Sequence, residues 1–153
     1  MKSQFFLLFF SLFFTVNISA QTSPASYNQA LADSLGADQY GMKHYFLVML
    51  KTGGTVIEDK AKVGELFKGH MENIGLLAKA GKLIVAGPLE KNDKNYRGIF
   101  IFAVKTKAEV EEILQTDPAV KADLLGAEIY PWYGSAALPL YLQYHESLQK
   151  TKM

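Results

Sequence analysis

Apolar and polar positions follow two different periods along this chain, and the switches between them divide it into elements. From His44 to Lys51 (HYFLVMLK) the run is apolar on both faces, rich in aromatics, and ends before Thr52-Gly53-Gly54, a turn signal. This predicts a central, well-covered strand. Between Ala61 and Ala80 the period changes to that of a helix. Val63, Leu66, Phe67, His70, Ile74, Leu77 and Ala78 form one stripe, and Glu65, Lys68, Glu72 and Lys79 fall off it. Gly81 follows as a helix stop. Leu83 to Leu89 (LIVAGPL) reads as a second strand ended by Gly-Pro, Asn92 to Asn95 as a turn, and Arg97 to Val104 (RGIFIFAV) as the return strand of a hairpin. Lys107 to Thr116 is a second helix with Val110, Ile113 and Leu114 inward. Asp117-Pro118 breaks it and starts a short turn. Leu124 to Trp132 is a fourth strand, and Pro131 near its end marks it as an edge.

The order is β-α-β-β-α-β. Parallel neighbours need a crossover helix and antiparallel ones can share a tight turn. The split β-α-β arrangement meets both conditions, so the expected fold is α+β and ferredoxin-like: a four-stranded antiparallel sheet with two helices on one face. The other face is left bare. The alternate apolar residues of HYFLVMLK and RGIFIFAV need cover there, which predicts a homodimer packed sheet to sheet. Ahead of the domain, residues 21–42 read as a polar linker and a short helix, Tyr27 to Leu35, capped by Gly36. Behind it, residues 139–153 form a tail. Leu138, Leu140 and Leu142 recur at period two, followed by Tyr144, and ask for an apolar surface.

The first twenty residues belong to none of this. Lys2 is followed by twelve mostly Phe and Leu residues, Phe5 to Val16, and then by Ile18-Ser19-Ala20. A basic start, a short apolar run and small residues at the end are the three parts of a secretory signal. The run is too short to span a bilayer, which takes about 20 apolar residues. Cleavage after Ala20 and a periplasmic or extracellular location are expected, with no membrane association afterwards. The leader takes with it six of the ten Phe and one of the 16 basic residues, leaving 15 basic against 15 acidic. A neutral chain lacks the excess positive charge of a nucleic-acid or anionic-membrane binder. RGIFIFAV imitates an RNA-recognition strand, but its third and fifth positions are Ile99 and Ile101 rather than stacking rings. The absence of Cys excludes a disulfide scaffold, a cysteine nucleophile and a thiolate metal site. His44, His70 and His145 lie far apart with no second ligand at helical spacing, so no metal site is visible. No phosphate loop, dinucleotide fingerprint or GxSxG is present either.

A few positions carry possible chemistry. His70 falls on the inward stripe of the long helix, where an imidazole needs a hydrogen-bond partner. It is either a satisfied core residue or a general acid/base. Asp117-Pro118 has the form of a helix cap, Asp at the cap and Pro at the first helical position. A carboxylate has two oxygens, so one can cap while the other orients an imidazole. Gly87-Pro88 is either a plain turn or a place where backbone meets a ligand. Trp132 and Tyr133 are candidates for lining a pocket, or for locking a dimer seam, the stronger reading of the two.

Taken in order, His70, Ala86-Gly87-Pro88-Leu89, Arg97-Gly98-Ile99, Thr116-Asp117-Pro118 and Pro131-Trp132-Tyr133 resemble the YciI-like, or YCII-related domain, family from Lys43 to Leu138. The lead-in from Leu35 to Met42 resembles exported members from Bacteroidetes-type bacteria. The resemblance implies a dimeric α/β barrel of the ferredoxin-like class. It also implies a histidine–aspartate pair in a cleft, falling here on His70 and Asp117. Related barrels include lactone isomerases and a dehydrochlorinase of a chlorinated hydroquinone, so a small cyclic or aromatic substrate is the implied class. The expected function is a lyase or isomerase without a cofactor, with Gly87, Pro88, Trp132 and Tyr133 around the substrate. The competing expectations are a non-catalytic ligand-binding or scaffold dimer, and an assembly subunit whose tail is the working part.

Overall fold

A strand that is apolar on both faces belongs in the middle of a sheet, and the structure has it there. The computed structural model describes residues 26–151. The leader with its cleavage after Ala20, and most of the linker, lie outside the described residues. Helix α1 (Gln29–Leu35) is capped by the Asn28 side chain and closed by Gly36 at φ 67°. It buries none of its residues. Strand β1 (Met42–Thr52) leads to α2 (Lys60–Lys79), then to the hairpin β2 (Leu83–Pro88) and β3 (Tyr96–Phe102). Two short helices follow, α3 (Lys107–Leu114) and α4 (Pro118–Lys121), before β4 (Leu125–Ser135). The sheet runs β2-β3-β1-β4 and is antiparallel throughout. β4 is an edge strand, as Pro131 requires. It extends to Ser135 because residues 133–135 continue to pair with His44, Lys43 and Met42.

Side chains alternate across the sheet, which separates two apolar cores. Val48, Leu50, Leu83, Phe100, Phe102 and Leu125 meet Val110, Ile113, Leu114 and Ala119 under the helices. Phe67, Ile74 and Leu77 close this core from α2. Burying side chains of this size contributes roughly 1.5–3 kcal/mol each. The opposite face centres on Tyr45, Ile84 and Ile101.

That second face corrects two expectations. It is not wholly bare: Leu138, Leu142 and Trp132 cover part of it from the same chain. Nor does the tail work at period two. It folds as consecutive helical turns, Leu138–Tyr141, α5 (Leu142–His145) and Glu146–Leu148. Leu138 and Leu142 are therefore one turn apart on one side, while Leu140 is left partly exposed. The Tyr141 hydroxyl ties this strap to the free edge of the sheet by donating to the Ile84 carbonyl.

Candidate active site

The site starts from how α2 is seated. Asp59 caps the helix by accepting from the N–H groups of Ala61 and Lys62, and the apolar stripe turns Phe67, His70 and Ile74 toward the sheet. Gly69 sets the spacing on the α4 side. A Cβ built there would lie 2.8 Å from the Pro118 Cγ, so α2 and α4 approach as closely as they do only because residue 69 has no side chain. His70 is thereby carried onto Asp117.

His70 and Asp117 are the two buried polar residues of the described chain. The Asp117 Oδ1 accepts from the N–H groups of Ala119 at 2.9 Å and Val120 at 3.4 Å, capping α4. Its Oδ2 lies 2.6 Å from the His70 Nδ1. A carboxylate accepts only, so Nδ1 carries the hydrogen and donates. Phe100 stacks on the imidazole at 5.9 Å and Phe67 meets it edge-on at 6.0 Å. The ring is held by two aromatic contacts and at one nitrogen. Its other nitrogen, Nε2, has no hydrogen-bond partner among the described residues, yet no buried side-chain polar atom is left unsatisfied. Nε2 is thus open to solvent.

It opens into a cavity of about 410 Å³ between α2, the β2–β3 hairpin and the tail. Phe67, Met71, Ile74, Leu83 and Phe100 make its walls apolar. Gly87 and Pro88 line it together with Ala86 and Gly98. These residues lie inside the ladder rather than in a turn, with Gly87 opposite Ile99 and Pro88 opposite Gly98. Pro88 has no N–H to give a ligand, so its contribution is shape. A second depression of about 430 Å³, lined by His44, Tyr45, Phe46, Val104, Lys105 and Pro131, contains neither member of the pair.

Trp132 and Tyr133, expected around a substrate, are not among the residues that line the His70 cavity. They sit at the far end of β4, where register sets them opposite Tyr45 and His44. Trp132 packs on Tyr45 at 5.6 Å and lies over Gly134. Tyr133 meets the His44 ring at 5.2 Å and donates to the Asp38 carboxylate. That bond holds the Asp38 carboxyl below the usual carboxylate range and lifts the Tyr133 phenol. The two aromatics fasten the lead-in and the sheet.

The family is decided by the chain from His44 to Tyr133, which matches the YCII-related domain over residues 44–133. The chain belongs to the YCII-related domain family. No functionally curated protein matches it. Among solved structures it is similar to a 5-chloro-2-hydroxyhydroquinone dehydrochlorinase from Burkholderia phenoliruptrix AC1100, determined in complex with 2,5-dihydroxybenzoquinone. The two are 25% identical over 57% of this chain and 92% of that one, with a TM-score of 0.42.

In this YCII-related domain the sequence reading missed several residues of the cavity. Tyr141, Leu142 and His145 reach it from the tail, outside the family match. Burial raises the Tyr141 phenol above its ordinary range. Arg97 reaches it from β3. The β1–β3 register passes from Leu50 opposite Gly98 to Lys51 opposite Tyr96, which leaves Arg97 as the extra residue of a bulge. Periodicity assigns Arg97 to the opposite face from Phe100, and only the bulge could have signalled otherwise. Among the described residues no three His, Asp or Glu gather as metal ligands.

Proposed function

We propose that this YCII-related protein is a cofactor-free lyase or isomerase acting on a small cyclic or aromatic molecule. His70 is the acid–base group. Its Nε2 takes a proton from the substrate and then gives it to a second position of the substrate, in an isomerisation, or to the group that departs as its bond breaks, in an elimination. Asp117 acts through His70: it holds the hydrogen on Nδ1, so that Nε2 presents a lone pair, and it stabilises the imidazolium that forms. The observation that carries this reading is the asymmetry of the ring. One nitrogen is committed to a buried carboxylate and the other opens into an apolar cavity. A purely structural pair has no need of an opening.

The protein works as an exported homodimer in this reading. The leader supplies the address. Leu47, Met49 and Ile99, half-buried on the same sheet face, supply apolar surface for a second copy.

The test is a screen of the purified protein against small lactones and halogenated phenols, with His70→Gln beside it. Turnover should fall about 10²–10⁴-fold in the variant. Binding without turnover, unchanged by the substitution, would replace the enzyme by a ligand-binding dimer.

A further inference from the structure

The cavity holds one permanent charge, and nothing among the described residues answers it. Of its lining residues, Arg97 alone is a fixed cation, and no Asp or Glu is among them. Asp117 lies beneath His70 rather than in the wall. Among the described residues Arg97 makes no ion pair and no side-chain hydrogen bond. The neighbouring cation Lys51, opposite Tyr96, is engaged with Glu128. Apart from the open Nε2 of His70, the other polar side-chain groups of the wall have partners. The Tyr141 hydroxyl is given to the Ile84 carbonyl, the His70 Nδ1 to Asp117, and His145 lies 3.0 Å from the Gln149 amide nitrogen.

Arg97 is also placed by a device. A regular β3 would put it across the sheet from Phe100, on the face that carries Ile99 and Ile101. The bulge removes it from the ladder and joins it to the cavity wall beside Gly98. Bulges re-aim side chains in this way near functional sites. The two glycines next to it press the backbones together: a Cβ on Gly98 would lie 2.8 Å from the Gly87 carbonyl oxygen. Position 98 therefore stays small. Register gives the location as well. β2 runs back along α2, so its Pro88 end, where the Leu89 N–H donates to the Arg97 carbonyl, lies toward the start of the cavity-lining stretch that begins at Phe67.

We propose that the ligand is an organic anion with a ring-sized apolar body, and that Arg97 binds its negative group. The planar guanidinium suits a carboxylate, or a phenolate, at the wet rim. The body then fills the space between Phe67, Met71, Ile74 and Phe100, near the open nitrogen of His70. This deepens the enzymatic reading above by naming the charge of the substrate, but it concerns binding alone.

The experiment titrates the purified protein with 4-chlorobenzoate and with 4-chlorobenzyl alcohol, a neutral compound of nearly the same shape, and follows backbone amide shifts by NMR. The anion should bind about tenfold more tightly, the effect of one charge-assisted hydrogen bond at a partly wet site. Residues of the cavity wall should shift with both compounds. The preference should shrink in high salt and vanish in Arg97→Met, while Arg97→Lys retains part of it. Equal binding of the two compounds, a preference that survives Arg97→Met, or no binding of either would overturn the proposal. Repeating the titration in His70→Gln separates the two readings. An anion preference that persists there, while the unsubstituted protein turns over none of the compounds, would uphold the ligand class and sink the enzyme.

Discussion

Gly69 and Pro118 touch as backbone to ring, and the His70–Asp117 pair, one residue after Gly69 and one before Pro118, depends on that contact. The missing side chain at 69 keeps α2 and α4 close enough for the 2.6 Å bond. A glycine inside a helix ordinarily costs about 1 kcal/mol relative to alanine, and here the close approach is the return.

This sets up a contrast within a single helix. A Cβ on Gly75 would meet nothing within 4 Å. Gly75→Ala should therefore stabilise the protein by about 0.5–1 kcal/mol. Gly69→Ala should destabilise it by about 1–2 kcal/mol, because overpacking exceeds the gain in helix propensity. Denaturant unfolding of both variants checks this. A Gly69→Ala protein as stable as Gly75→Ala would mean that α4 yields freely.

Asp117 serves two partners, and two substitutions separate them. Asp117→Ala removes the cap and the imidazole's acceptor together, and should cost about 2–4 kcal/mol. Asp117→Asn can keep its oxygen on the Ala119 N–H. Its NH₂ then faces the His70 Nδ1, which must accept. The hydrogen should move to Nε2, at a stability cost of about 1 kcal/mol or less. Long-range ¹⁵N–¹H correlation of the imidazole reads the tautomer directly. An unchanged Nδ1–H form in the Asn variant would contradict the assigned bond.

Glu128 gives a dependence on pH. Lys51 donates to it at 2.8 Å, Tyr130 at 3.0 Å and Tyr96 at 3.2 Å. These bonds, Lys51's foremost, hold its carboxyl below the ordinary value of 4.5. A carboxyl lowered in the folded state stabilises the fold above its unfolded pKa and loses that contribution as pH falls through the folded one. Glu128→Gln should lower Tm by about 2 °C near pH 7, a modest effect for an exposed cluster. The gap should close as pH falls below the ordinary carboxyl value of 4.5. A difference in Tm that does not change with pH would show that the carboxylate charge is not what the cluster uses.

The tail can be followed through the single tryptophan. Trp132 shares with Leu138 and Leu142 the task of covering Tyr45, Ile84 and Ile101. Deleting residues 139–153 should shift its emission to the red and lower stability by about 1–3 kcal/mol, the loss of a half-buried leucine and its neighbours. The fold under the helices should survive. Sedimentation of the same variant tests the tail in assembly: unchanged association would leave it as sheet cover and cavity wall within one chain.

Local information was enough for much of this molecule. The period of apolar residues placed the four strands and the long helix, because periodicity follows from backbone geometry and needs no knowledge of neighbours. The central position of β1 followed from its two apolar faces, and the edge position of β4 from Pro131. His70 was legible on the buried stripe, and Asp117 as a cap with an oxygen to spare. Their pairing across 47 positions was supplied only by family resemblance, since spacing along the chain carries no trace of it.

Tertiary structure decided the rest. A bulge is a mismatch between two strands, so no property of β3 alone could show that Arg97 leaves the ladder and joins the cavity. Gly69 reads in sequence as a weak point of a helix and becomes a close contact once Pro118 lies against it. Trp132 and Tyr133 read as plausible pocket aromatics until register set them opposite Tyr45 and His44, away from the pair. The tail's three leucines admitted a period of two or a turn of helix, and only the surface beneath them selected the turn. The sequence by itself determined which elements form and which faces are apolar, because those depend on residues a few positions apart. Only the tertiary structure decided what each face meets, because that depends on residues brought together across the whole chain.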